Sequence, residues 1–302
     1  MRIVSFLPSA TEIVCELGLQ EQLVGVTHEC DFPTGVASLP HVTRTHLPAA
    51  ASSGEIDRLV REQLATERSL YQLDHDRLAA LEPDLIITQS LCDVCAVAES
   101  DVQRALCRLP RGAALLNLEP QSLTDVLDSV VTVADAAGIR ERGVEARRRL
   151  QNRMNAVTEA VNSSARLRVV VLEWIDPPFS AGHWVPEIVE LAGGQEMIGR
   201  AGQRSVTLDW DQVAAARPEV LFISCCGFSI ERTKQDLPLL FDRLADLQLP
   251  CFEHGNLFVL DGSAYLSRPG PRLVEALELM AQAMHPEHAH APSHSNGLER
   301  AM

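Results

Sequence analysis

Four stretches concentrate side chains able to bind a metal or carry a proton: His28-Glu29-Cys30-Asp31, Cys92-Asp93-Val94-Cys95, His183 beside Trp184, and Cys225-Cys226-Gly227. Thiolates and imidazoles are soft donors, so His28, Cys30, Cys92, Cys95, His183, Cys225 and Cys226 form a candidate metal-ligand set. Zinc, an iron–sulfur cluster, a thiolate contact to a bound metal complex or a dithiol switch would each suit Cys92 and Cys95. A structural zinc site normally shows two CxxC pairs, and the adjacent Cys225 and Cys226 do not supply the second. The plainer reading of these thiols is packing in snug loops, which is also how Cys15, Cys107 and Cys251 read.

Aromatic residues are scarce, with three Trp, two Tyr and eight Phe. Six nevertheless fall in loops that follow expected strands: Phe32, Trp174, Phe179, Trp184, Phe228 and Tyr265. Flat apolar surfaces gathered in loops suit a large planar ligand better than they suit a core. The chain has no phosphate-binding Gly-rich loop with Lys and Ser/Thr, no GxGxxG, no HExxH and no GxSxG. A single lysine, Lys234, argues against Schiff-base chemistry. The expectation is a binding protein, not an enzyme.

The elements that must present these loops alternate. Apolar β-type runs at 2–6, 23–26, 83–88 and 113–118 alternate with helical patterns, the first helix opened by a Ser9/Glu12 capping box and ended by Gly18. Leu123, Val126, Leu127, Val130, Val131 and Ala134 keep helical spacing up to Gly138. A second helix over 140–162, with Val144, Leu150, Met154, Val157 and Val161 on its apolar side, would run roughly 35 Å. The alternation then restarts, with strands at 168–174, 219–224 and 257–260 and helices at 185–192, 209–216, from 229, and 269–284. Strands alternating with helices give parallel sheets, whose ligands gather at the loops leaving the strands' carboxyl ends.

The fold expected is therefore α/β: two small parallel-sheet lobes joined by one long rigid helix, with the ligand cleft between the lobes. The boundaries read as an N-terminal lobe over 1–122, a helical connector over 123–165, a C-terminal lobe over 166–286, and a disordered tail over 287–302. On this scheme Cys30, Cys92, Cys95 and at least one of Cys225 and Cys226 meet in the cleft near His28 and His183. With 41 acidic residues against 26 basic ones and a formal net charge of -15, nucleic acid is not an expected partner. The opening Met1-Arg2-Ile3-Val4-Ser5-Phe6 enters a strand with no leader pattern, no apolar run is long enough to span a bilayer, and the expected location is the cytoplasm.

The opening Ile3-Val4-Ser5-Phe6-Leu7-Pro8-Ser9-Ala10-Thr11-Glu12, the segment Val24-Gly25-Val26-Thr27-His28-Glu29-Cys30-Asp31-Phe32-Pro33, and Leu81-Glu82-Pro83-Asp84-Leu85-Ile86-Ile87 carry a family resemblance. Asp176-Pro177-Pro178-Phe179-Ser180-Ala181-Gly182 and Ala192-Gly193-Gly194 carry it in the second half. Over about 2–286 the chain resembles the helical-backbone (Fe/cobalamin-type) ABC-transporter solute-binding proteins, and specifically their cobalamin-binding branch. The resemblance implies two α/β lobes, one rigid helix and a ligand between them, with Asp31, Phe32, the 89–95 loop beginning at Gln89, Phe179 and Trp184 at pocket positions. With Trp174, Phe228 and Tyr265 these make up the expected ligand-binding set. An ABC permease is the partner it implies for an exported protein. The His- and Cys-rich loops are a departure from the exported relatives.

Three functions compete. The first is binding of cobalamin or a related corrinoid between the lobes, by a solute-binding, storage or sensing protein without an export signal. The second is a thiolate metal or iron–sulfur protein, and the third is an enzyme acting on a tetrapyrrole with His28 or His183 as proton carriers.

Overall fold

The computed structural model describes residues 1–45, 51–66, 70–89, 102, 105, 106, 109, 112–289 and 296–301. The chain divides into two compact units, one comprising Met1–Ala51, Glu55–Pro120 and Thr124–Arg148, the other Ser52–Gly54, Gln121–Leu123 and everything from Arg149 on.

The first unit is built on a parallel sheet in the order β2-β1-β5-β6, from β1 (Ile3–Ser5), β2 (Leu23–Gly25), β5 (Leu85–Thr88) and β6 (Ala114–Asn117). All residues of β1 and β5 are buried, as expected of parallel strands covered on both faces. Strands β3 (Thr43–Thr45) and β4 (Tyr71–Leu73) form a separate antiparallel ribbon. Val4, Phe6, Val42, Leu73, Leu78 and Ile86 share one core cluster. Helix α1 (Pro8–Glu16) starts on a proline, with Leu7 as its cap, and no side chain caps it. The expected Ser9 capping box is thus displaced by Pro8, whose fixed φ suits a first helical position and whose missing N–H costs nothing there. Gly18, at φ 72°, ends the helix as expected. Among the described residues, helices α2 (Ser53–Thr66, of which 55 onward belongs here), α3 (His75–Ala80) and α4 (Leu123–Ala136, from 124) also belong to the unit, with the start of the next helix.

That helix, α5 (Arg140–Val161), is 22 residues long, and the division between the units falls inside it, between Arg148 and Arg149. Ala146, Leu150, Met154 and Val161 are buried along it, whereas Val144, expected on the apolar side, is 51% exposed. Gly143 sits so close to α4 that a methyl group there would come 2.5 Å from Ala134 Cβ and 3.0 Å from Val131 Cα.

The second unit centres on β7 (Leu167–Trp174), β10 (Val220–Ile223) and β11 (Leu257–Leu260), all parallel. Val169, Val170, Val171 and Leu172 are fully buried at its centre. On its other side β7 carries two short partners end to end: β9 (Gly194–Glu196), parallel to its start, and β8 (Phe179–Ser180), antiparallel to its end. The helices are α6 (Val185–Leu191), α7 (Trp210–Ala216, opened by an Asp209/Gln212 capping box), α8 (Ile230–Leu247), α9 (Pro250–Glu253) and α10 (Leu273–Met284).

The tail differs from its expectation as disordered. Leu298–Arg300 form β12, an antiparallel strand on the edge of β11. Three side-chain contacts hold it: Lys234 pairs with Glu299, Arg300 donates to Asn256 Oδ1 at 2.9 Å, and the Arg300 guanidinium lies 5.5 Å from the Phe258 ring centroid. The segment lacks an apolar face, but an open sheet edge offers it backbone partners, which hydropathy does not report.

Candidate functional site

In the second unit the carboxyl ends of β7, β10 and β11 deliver Trp174, Cys225 to Phe228, and Tyr265 to one edge, with Phe179 of β8 paired to Trp174. The Trp174 and Phe228 rings are tilted against each other at 4.8 Å between centroids. Over the Phe228 ring lies the Arg232 guanidinium, 4.2 Å from the centroid, held by Asp236 at 3.3 Å. Asp236 also accepts the Ser53 N–H at 3.0 Å, and the Trp174 indole N–H is shared between Ser53 O and Asp176 O at 3.2 and 3.1 Å. Two aromatic rings, a cation and its carboxylate thus make one shelf, in which Phe228 is buried under Arg232 and Trp174 is half-buried. Sequence reasoning found its aromatics but not Arg232, Asp236 or Ser53, which stand in ordinary helical patterns.

Other aromatics are placed differently. Trp184 is only 5% exposed and donates its indole N–H to Leu266 O at 2.9 Å, so it packs as a core residue. His183 and Trp184 follow β8, which runs antiparallel to β7, so the chain carries them away from the carboxyl edge; the topological argument applied to them assumed a parallel strand. His183 takes a left-handed backbone at φ 51°, and its Nδ1 is sealed without a hydrogen bond. Burial, and then the charge of Arg204, hold its imidazole below the usual histidine range. Tyr265 is buried, donates its hydroxyl to Glu275 at 3.1 Å, and has the tail's Gly297 against its ring.

In the first unit His28 stands near Tyr71, 5.4 Å between ring centroids, with Nδ1 at 2.8 Å from Thr43 Oγ1. Tyr71 donates to Glu29 Oε1 at 3.0 Å. Burial pushes the His28 imidazole down against the opposing pull of Glu29, leaving it neutral near pH 7. Asp31 and Phe32 are exposed, while Gln89 is buried and its Oε1 has no hydrogen-bond partner among the described residues.

The thiols that are described do not fit a thiolate metal centre. Cys30 is buried, with Sγ at 3.1 Å from both Thr11 Oγ1 and Thr27 Oγ1. Burial pushes the Cys225 thiol well above its usual range, and it pushes Cys15 up to about 11, so both keep their protons. Cys226, next to the sealed Cys225, is exposed. Among the described residues no three His, Cys, Asp or Glu side chains are placed to hold a metal ion. Cys92 and Cys95 lie outside the described residues, so the shared site expected of them is not tested.

The sequence matches the family model described as periplasmic binding protein over residues 3–263. Accordingly, the chain belongs to that family of solute-binding proteins, which are not enzymes. It is 23% identical over 280 residues to the vitamin B12-binding protein of Vibrio cholerae, covering 92% of this chain and 86% of that one. Its fold is that of the periplasmic vitamin B12 binding protein BtuF of Vibrio cholerae, at a TM-score of 0.67 and 19% identity, covering 94% of this chain and 96% of that one. It is also that of the periplasmic heme-binding protein RhuT from Roseiflexus sp. RS-1, at a TM-score of 0.71 and 22% identity, covering 94% and 98%. These relatives overturn the cytoplasmic expectation: BtuF and the heme-binding protein HutB of Vibrio cholerae are periplasmic, and membership of the family points to the periplasm.

Proposed function

We propose that the protein is a solute-binding protein for cobalamin or a related corrinoid, taken up by loops at the carboxyl ends of its parallel strands. The observation that carries this reading is the Trp174–Phe228–Arg232 shelf at the carboxyl edge of the second unit's sheet, where the half-buried Trp174 ring supplies an aromatic face of the kind a macrocycle packs on. The vitamin B12-binding relatives support it. Heme is the second reading, favoured by the heme-binding proteins that share the fold. Charge supports the first reading: a formal net charge of -15 opposes a ligand carrying two carboxylates more than it opposes a neutral corrinoid. By family, the partner is a membrane permease. Equilibrium titration of the purified protein with cyanocobalamin, hydroxocobalamin and haemin, followed by absorbance, tests the reading. Saturable one-to-one binding of a cobalamin supports it, and binding of haemin alone replaces it with the second.

A further inference from the structure

Beside β7 lies a pair of carboxyl groups that the ligand reading does not use. Glu196, the last residue of β9, accepts the backbone N–H groups of Ile198 at 3.1 Å and Gly199 at 2.9 Å, both through Oε1. The residue keeps some exposed surface, but its Oε2 is shut off from solvent and no hydrogen bond reaches it. Glu173, on β7, accepts the Gly182 N–H at 3.1 Å through Oε1 and the Ser205 hydroxyl through Oε2. Among the described residues Glu173 is the charged side chain that acts on Glu196, while Arg204, on the segment that follows, acts on His183.

That segment, 198–207, is laid along 178–183. Ser180 N donates to Val206 O at 2.9 Å, Val206 N to Ser180 Oγ at 3.1 Å, His183 N to Gln203 O at 2.6 Å and Gly202 N to His183 O at 2.9 Å. Gly199 rides so close to the backbone that a methyl group there would come 2.7 Å from Ala181 O. Thr207, at the end of the ribbon, bridges Phe179 at the carboxyl edge of the sheet. Both carboxyl groups therefore hold the same ribbon to the same sheet, and two negative charges there would repel each other while one of them has an oxygen sealed without a donor.

We infer that Glu173 and Glu196 form a proton-operated latch: segment 198–207 lies closed on the sheet while Glu196 keeps its proton and loosens when the proton leaves. Burial, with a smaller push from Glu173, lifts the Glu196 carboxyl from 4.5 to about 7 against the pull of the Gly199, Ile198 and Val171 backbone groups. The latch thus works around neutral pH. Loosening removes Thr207, one of the two strand partners of Phe179, so the carboxyl edge feels the proton.

The test needs no ligand and stands apart from the corrinoid reading. The Glu196 side-chain carboxyl is titrated by NMR, and exchange of the Gly182, Ile198 and Gly199 amides, corrected for intrinsic rates, is followed from about pH 5.5 to about pH 8.5 in wild type and Glu196→Gln. Wild type should lose about tenfold in protection as Glu196 ionises. The glutamine variant, neutral at every pH, should stay protected throughout. Titration of Glu196 in the ordinary carboxylate range would overturn the latch even if the variant did not fold. Wild-type protection that does not change with pH, or an equal loss in the variant, would overturn it as well.

Discussion

Trp174 and Trp184 stand on one stretch of chain between β7 and α6 and answer to different forces. Trp174 is half-buried on the Phe228 shelf, whereas Trp184 is sealed with its N–H spent on Leu266 O. Trp174→Ala is expected to weaken corrinoid binding by about 2 kcal/mol, near thirtyfold in Kd, with little change in melting temperature. Trp184→Ala should instead cost about 3–5 kcal/mol of stability, since it empties a packed site and strands a carbonyl. Calorimetric melting and ligand titration of the two variants side by side separate these roles; equal stability losses would show that the shelf is part of the core. At Glu196 the native state keeps a proton that the unfolded chain has already released between 4.5 and about 7, so this group's contribution to stability falls as pH rises through that window. Glu196→Gln removes that decline, and thermal melts at stepped pH should show a flatter profile for the variant than for wild type.

Elements were legible where pattern and burial agree. The buried valines of β7, the βα alternation and the long α5 follow from period and composition alone. Short partners were not legible: β8 spans two residues, and its antiparallel direction, invisible to hydropathy, is what carries His183 off the carboxyl edge. The shelf's aromatics could be found because they are rare and follow strands, while Asp236 and Ser53 gain their roles only when distant segments meet. Gly143 shows the same limit. On propensity alone Gly143→Ala should strengthen α5 by about 1 kcal/mol, but the contact with Ala134 and Val131 reverses the sign, and a net loss of about 1–3 kcal/mol is expected by denaturant unfolding. A gain in stability would mean that α4 gives way easily. β12 supplies the complementary case: truncation after Ala289 removes its hydrogen bonds to β11 together with the Lys234 and Arg300 contacts, and should cost about 2 kcal/mol. Unchanged unfolding in the truncated chain would return the tail to the role its composition suggests.

At the scale of the whole molecule the acidic excess sets a preference that salt can expose. Raising the ionic strength from about 20 mM to about 500 mM screens the field of a -15 chain, and should strengthen haemin binding while leaving cyanocobalamin affinity unchanged. Parallel shifts for both ligands would mean that the site is shielded from the protein's overall field. Composition has one more consequence. The chain holds a single lysine, and Lys234 is committed to Glu299 of β12, which favours its charged form. Acylating dyes react with neutral amines, so the only ε-amine is least reactive while the C-terminal strand is docked. Its labelling rate, read by mass spectrometry on the unmodified protein, therefore reports strand release without any engineered probe.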